Sequence, residues 1–298
     1  MQEAEWIDRY IKPLVTSKGA FELTDDVAVL TPYETTIVTM DTLVEAVHFL
    51  AADPLDTVGR KLLRVNISDI YAKGAAPGEA LLSIAWPRHR DEVEFAALMA
   101  GIGDDLEAFN VSLIGGDLVT TDGPLILSLT LTGQIIGPAA IHRNGAKAGD
   151  GIFVTGQIGF GDVGLAAAQR GDCEDLAARY RVPLLAPLQA AAAVATHATA
   201  SMDVSDGLLL DAQRLCKASR VGLVLDLDCV PLAEPSDDLA IVIRQCTGGD
   251  DYQILMTAPA DRDLTNFTRI GQVVEGDGLG LKWRGNTVDL PDILGFLH

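Results

Sequence analysis

Basic residues are scarce in this chain: 22 Lys and Arg stand against 42 Asp and Glu, a formal net charge of −20. A surface charged in this way repels nucleic acid and anionic membrane, and neither is expected as a partner. It attracts divalent cations instead, so an anionic substrate would need metal ions or a local basic group. Aromatic residues are also few, 5% of the chain against 48% hydrophobic overall, so the core must be aliphatic. The four cysteines, Cys173, Cys216, Cys229 and Cys246, form no CxxC pair and have no His at zinc-ligand spacing. They read as reduced, mostly buried thiols of a cytosolic protein. No run of 18 uncharged apolar residues is present, which excludes a membrane-spanning helix. The opening MQEAEWIDRYIKPL has neither a basic n-region nor an apolar h-region, so a cytoplasmic location is expected. Three nucleotide and metal signatures are missing as well. There is no GxxxxGK[ST] loop, no DxDxDG calcium loop, and GQIGFG at 156–161 has the wrong spacing for a dinucleotide fingerprint.

What is present, over 298 residues, is enough for two domains. Residues 3–14 read as a helix with Trp6, Ile7, Tyr10, Ile11 and Leu14 on its apolar face. Strands are expected at 27–30, 35–44, 80–86, 111–119 (interrupted by Gly115-Gly116) and 125–136, and helices at 56–72 and 91–109. Gly, Pro and polar residues then cluster over 137–151, the best domain boundary. The expected domains are 1–137 and 138–298. Beyond the boundary come strands at 152–155, 201–204, 222–228, 252–257 and 269–274. Helices fall at 162–170, 184–197, 207–219 and 236–245. Strands and helices mix in both halves, so the class is α/β or α+β.

Acids occur where a fold alone does not require them. The stretch LLRVNISDIYAKGAA, 62–76, puts Asn66 and Asp69 on one helical stripe with Leu62, Val65 and Lys73. A buried carboxylate without a partner costs several kcal/mol, so Asp69 needs a cation, donors or water. In TTIVTMDTLV, 35–44, alternation sets Ile37, Thr39 and Asp41 on one face, Val38 and Met40 on the other. Asp25, Asp26, Asp117, Asp203, Asp206, Asp250 and Asp251 lie at strand ends or glycine turns. Each alone reads as a turn or cap residue. Converging, they would repel unless they held cations, and an all-oxygen set selects Mg2+, Mn2+ or Ca2+. Such a cluster suits phosphate chemistry. Asn66-Ile67-Ser68-Asp69 also echoes Asp203-Val204-Ser205-Asp206.

Read in order, the motifs are Asp25-Asp26-Val27-Ala28-Val29-Leu30, Thr39-Met40-Asp41-Thr42-Leu43-Val44-Glu45 and Val65-Asn66-Ile67-Ser68-Asp69. Then follow Gly115-Gly116-Asp117, Arg143-Asn144-Gly145-Ala146, Asp203-Val204-Ser205-Asp206-Gly207-Leu208 and Gly248-Gly249-Asp250-Asp251-Tyr252. This ordered set resembles the thiamine-monophosphate kinase family, within the superfamily of aminoimidazole ribonucleotide synthetase, over nearly the whole chain. The resemblance implies a two-domain PurM-like fold: an N-terminal ATP/Mg-binding and dimerisation domain forming a β-barrel across a homodimer, and a C-terminal α/β sandwich. It implies Mg2+-dependent, in-line transfer of the ATP γ-phosphoryl to thiamine phosphate, giving thiamine diphosphate, with no phospho-enzyme and no catalytic side chain beyond the metal cluster. By position, Asp26, Thr39, Met40, Asp41, Asp69, Asp117, Asp203 and Asp206 match metal positions. Gly116, Asp117, Arg143 and Ser205 match ATP contacts; His48, Asp250 and Phe296 match substrate contacts. Met40 stands where the family has Thr or Ser, so only its backbone carbonyl could serve a metal. Asp250 stands where the family often has Glu. The alternatives are a sister ATP-using enzyme on the same fold and a non-catalytic metal- or nucleotide-binding paralogue. Selenophosphate synthetases carry a reactive Cys near the N-terminus, whereas the first here is Cys173.

Overall fold

The computed structural model describes residues 3–23 and 28–296. It divides into two compact units, Met1–Ile70 with Ala76–Gln134, and Tyr71–Ala75 with Ile135–His298. Each is a mixed α/β body with its own sheet.

The first unit begins with α1 (Glu3–Trp6), a π-helical turn at Ile7–Ile11 and a 3-10 turn at Lys12–Leu14. A single helix over 3–14 is therefore not what forms. Pro13 has no N–H, and its ring collides with a carbonyl one turn back, so regular α geometry cannot run through it. Trp6 still packs inward, its ring centroid 4.5 Å from that of Phe95, which lies 5.1 Å from Trp86. After a 3-10 stretch (Lys18–Leu23) come β1 (Thr36–Val44), α2 (Leu55–Ala72), β2 (Ala75–Pro87), α3 (Glu92–Ala108), β3 (Ser112–Thr121) and β4 (Ile126–Ile135). The sheet order is β1-β4-β2-β3, leaving β1 and β3 at its edges. Gly115-Gly116 does not interrupt β3. The ladder with β2 absorbs an extra residue as a bulge at Ala80/Leu81, and β3 runs on. A Cβ at Gly116 would meet the Leu82 carbonyl oxygen at 1.8 Å, so only glycine permits this approach.

Alternation along β1 is as expected. Ile37, Thr39, Asp41 and Leu43 turn inward, while Val38 and Met40 are 66% and 60% exposed. The α2 helix is buried on nearly every side, not along one stripe, with Leu62, Leu63, Ile67 and Ala72 fully covered. It is tied to α3 by a buried ion network: Asp105 accepts from Arg64 Nε at 2.6 Å and Arg60 Nε at 3.1 Å. The α3 helix starts on a capping box between Asp91 and Glu94.

The second unit contains β5 (Asp150–Thr155), α4 (Phe160–Arg170), α5 (Glu174–Arg181), α6 (Leu188–His197), β6 (Ala200–Val204), α7 (Leu208–Ser219) and β7 (Gly222–Asp226). A 3-10 turn (Leu227–Cys229) leads to α8 (Leu239–Thr247), β8 (Gln253–Pro259), β9 (Phe267–Val274), β10 (Gly278–Trp283) and β11 (Asn286–Val288). The seven strands lie in the order β11-β10-β7-β9-β5-β8-β6. The core between sheet and helices is aliphatic, with Ile152, Val154, Leu209, Leu215, Leu255 and Ile270 fully buried.

Three elements differ from sequence expectation. The helix expected over 184–197 starts only at Leu188, because Pro187 stands at its N-cap with extended ψ. The α5 helix was legible in its charges, Glu174 and Asp175 in the first turn and Arg179 and Arg181 in the last. The β10–β11 hairpin turns on Arg284-Gly285, both at positive φ, a two-residue signal that the sequence carries openly.

Candidate functional site

In the first unit, two carboxylates meet where β1 lies against α2. Thr39 Oγ1 donates to Asp69 Oδ2 at 2.5 Å. The Asp41 backbone N–H donates to Asn66 Oδ1 at 3.1 Å, and Asn66 Nδ2 donates to the Leu62 carbonyl at 2.9 Å. Asn66 is thus fully engaged within this unit: it fixes strand to helix and sets the position of Asp41. Burial first, and the neighbouring Asp69 carboxylate second, push Asp41 up to about 6 from an ordinary 3.8. Among the described residues, no cation pairs with either acid. His48 follows this strand, its Nδ1 accepting from the Val44 N–H at 3.0 Å, which assigns the proton of a neutral ring to Nε2. Its carbonyl accepts from the buried Lys61 Nζ at 3.0 Å.

The remaining first-unit candidates lie elsewhere. Met40 points out of the opposite face of β1, so its side chain is turned from Asp41 and Asp69. Gly116 and Asp117 are exposed on β3, three strand positions away, about 14 Å along the sheet. Both line an open trough of about 630 Å3 on the outer sheet face, together with Met40, Leu81 and, from the N-terminal segment, Ile7 and Ile11. Asp26 lies outside the described residues, as does Val27 of the strand expected at 27–30, and Ala28, Val29 and Leu30 form no strand.

In the second unit, the candidates gather at the C-terminal end of β6. Asp203 and Asp206 are nearly buried, and Gly207, at φ 118°, turns the chain into α7. The echo of Asn66–Asp69 is not a structural repeat: that segment is mid-helix, this one a strand end and turn. The turn is held by Asp211, a residue that motif reading passed over. Its Oδ2 accepts from both the Ser205 and Asp206 N–H groups at 3.0 Å. Arg214 Nη1 donates to Asp211 Oδ1 at 2.8 Å and also to Asp206 Oδ2. Burial drives Asp211 to about 6, opposed by its backbone donors and by Arg214. The spacing offered the signal: Asp206, Asp211 and Arg214 lie five and three residues apart, across the first turns of one helix.

Asp250 and Phe296 reach the same turn through their backbones. The Asp250 N–H donates to the Ser205 carbonyl and the Phe296 N–H to the Asp206 carbonyl, both at 2.8 Å. Asp250 Oδ1 accepts from Tyr252 Oη at 2.8 Å. Its neighbour Asp251 is buried and caps α4, accepting from Gly159 N–H at 2.9 Å and Gly161 N–H at 3.2 Å; burial raises it to about 7. Arg143 is not part of this group. Its carbonyl accepts from Ser219 Oγ at 2.9 Å, at the far end of α7, which is 12 residues or about 18 Å long.

A divalent cation fits the donor chemistry of the Asp41–Asp69 pair: oxygen-only, doubly acidic and carrying unrelieved repulsion. Among the described residues, no group of three or more His, Cys, Asp or Glu side chains is close enough to hold a metal alone. The cysteines take no part. Burial pushes Cys216 and Cys246 to about 11 and about 12, while Cys173 and Cys229 are exposed, fewer buried than expected. No helix is long and apolar enough to cross a membrane, among the described residues.

Two family models match the chain: AIR synthase related protein, N-terminal domain, over residues 24–135, and AIR synthase related protein, C-terminal domain, over residues 147–284. The chain is 37% identical to thiamine-monophosphate kinase of Caulobacter vibrioides, covering 99% of this chain and 90% of the relative. Among solved structures, thiamine-monophosphate kinase from Stenotrophomonas maltophilia K279a is 30% identical, with a TM-score of 0.82 and coverage of 97% and 98%. AaThiL complexed with AMPPCP and TMP is 28% identical, with a TM-score of 0.78 and coverage of 100% and 99%.

Proposed function

The chain belongs to the thiamine-monophosphate kinase family, within the AIR synthase related proteins, and from that membership we infer that it phosphorylates thiamine phosphate to thiamine diphosphate with ATP. The observation that carries the reading is the Asp41–Asp69 pair, two half-buried acids kept together with no counter-ion among the described residues. A relative complexed with AMPPCP and TMP supports ATP and thiamine phosphate as the two substrates.

Mg2+ is the cation the acids are suited to, and when bound it would neutralise polyphosphate charge and stabilise charge developing in transfer. Asp41, Asp69 and Asp26 would hold it from the first unit, with Thr39 orienting Asp69 through its hydroxyl. Met40 could add only its carbonyl. Asp203 and Asp206 would serve from the second unit. Gly116, Asp117, Ser205 and Arg143 are assigned to ATP. Gly116 is exposed on β3, where its missing Cβ lets the strand run close to the Leu82 carbonyl, and Arg143 is an exposed cation in a chain poor in them. His48, whose Nδ1 accepts from the Val44 N–H, is assigned to the substrate together with Asp250 and Phe296. Transfer is in-line, with no covalent intermediate, so no nucleophilic side chain is required.

A homodimer is part of the proposal. The outer face of the first unit's sheet exposes Val38, Met40, Leu81 and Val119 between two open edges. Exposed apolar surface rimmed by unpaired strands favours a second copy closing it into a barrel. The second unit would then be the α/β sandwich. The acidic surface and lack of a spanning helix suit a cytoplasmic enzyme.

The test is product identity. The purified chain, given ATP, millimolar Mg2+ and thiamine phosphate, is expected to form thiamine diphosphate and ADP in equal amounts. ATP hydrolysis without thiamine diphosphate would point to a sister ATP-using enzyme; no turnover would sink the kinase reading.

A further inference from the structure

Arg214 is held by two acids of unequal standing. Asp211 is wholly buried, and every face of its carboxylate is committed: Oδ2 to the Ser205 and Asp206 N–H groups, Oδ1 to Arg214 Nη1. Asp206 also takes Nη1, through Oδ2, and its side chain is 13% exposed where that of Asp211 is wholly covered. Its backbone is fixed at both ends, by Asp211 at the N–H and by Phe296 at the carbonyl. The Arg214 side chain is 37% exposed, so the guanidinium has water to turn into while keeping its contact with Asp211. Asp206 thus rests on a cation that the fold supplies, whereas Asp41 and Asp69 have none among the described residues.

We propose that Arg214 is a resident counter-ion for Asp206, exchanged for the divalent cation when the second unit takes up metal. The proposal rests on Asp206 being a metal ligand. Asp211 is the fixed post: it anchors the turn and retains Arg214 as Asp206 is handed over. Two cations on one carboxylate repel each other, so Arg214 opposes metal uptake and supports the metal-free turn. Its removal therefore has two effects of opposite sign, which a purely structural residue would not produce.

The experiment titrates the full chain with Mn2+ alone, following free Mn2+ by its paramagnetic resonance signal, and records melting curves in EDTA. Arg214→Gln is expected to bind Mn2+ about threefold or more tightly than wild type at low salt. It is also expected to melt at lower temperature in EDTA. Arg214→Lys keeps the charge and is expected to bind Mn2+ as wild type does, which guards against a glutamine variant that fails to fold. Equal Mn2+ affinity in wild type and in whichever charge-neutral variant folds, Arg214→Gln or Arg214→Met, overturns the exchange. Asp206→Asn separates the layers. If it loses Mn2+ affinity while Arg214→Gln gains none, the exchange alone fails. If it binds as wild type, Asp206 is not a ligand and the exchange falls with that reading.

Discussion

The two units solve the same electrostatic problem in different ways. In the first, Asp41 and Asp69 are surrounded by neutral groups, Thr39 and Asn66, and their repulsion stays unrelieved. In the second, Asp206 and Asp211 share Arg214, and Asp211 also accepts from two backbone N–H groups. Burial lifts acids in both units, Asp41 and Asp211 to about 6 and Asp251 to about 7. A neighbouring acid raises each further, but Arg214 opposes the rise at Asp211. The difference teaches that a carboxylate cluster can be stored with or without an internal cation. The uncompensated store is the one that stands to gain most, in stability as in function, from a metal arriving.

The sharpest way to break this comparison is Asp69→Asn. It removes a charge that the fold does not use for pairing, so the melting temperature in EDTA should hold or rise. Turnover should fall on the order of 10^3-fold or more, in line with losing a preorganised electrostatic contact. A variant that keeps normal turnover would show that the acid pair is not the metal site. Gly116→Ala probes the trough instead of the acids. Its Cβ would lie 1.8 Å from the Leu82 carbonyl oxygen, so β2 and β3 must part. A loss of about 2–4 kcal/mol is expected, read by urea unfolding. A near-neutral result would mean that β3 does not run so close.

Asp211→Ala tests the compensated side. It strands two backbone N–H groups and takes away one of the two acids that hold Arg214, at a cost of about 2–3 kcal/mol. Unlike Asp69→Asn, it should lower stability and leave the first unit's acid pair untouched. The smallest effect is a titration. The folded value of Asp41, about 6, lies above its ordinary 3.8, so the protonated form stabilises the cation-free chain. That contribution is fully present below about pH 4 and is lost as pH rises through about 6. A cation must displace the same proton, so Mn2+ affinity should weaken as pH falls below about 6. Carboxyl NMR should also find Asp41 titrating lower in Asp69→Asn; an unchanged midpoint would remove Asp69 as a cause.

Sequence reading reached the acids because they were out of place. Asp41 in a β-branched strand and Asp69 in an apolar helix are costly, and cost is visible in a sequence. The alternation that sends Thr39 and Asp41 inward and Met40 outward was equally readable. Asp211 and Arg214 escaped because an acid and a base three residues apart on a helix resemble an ordinary surface pair. Only burial of Asp211, and its reach back to the Ser205–Asp206 turn, shows what they hold. Pro13 and Pro187 were in plain view, yet the apolar periodicity across them was given more weight than the lost N–H. The position of Arg143, a full α7 length from Ser205, depends on tertiary packing that no local pattern records.

The central claim is that Asp41 in the first unit and Asp206 in the second each bind Mg2+ that the proposed transfer needs. The direct measurement is the Mg2+ concentration needed for half-maximal formation of thiamine diphosphate, in wild type, Asp41→Asn and Asp206→Asn. The account expects both variants to need much more Mg2+ than wild type, each with its fold intact by circular dichroism. A requirement that shifts in only one variant, and stays at the wild-type value in the other, would contradict it.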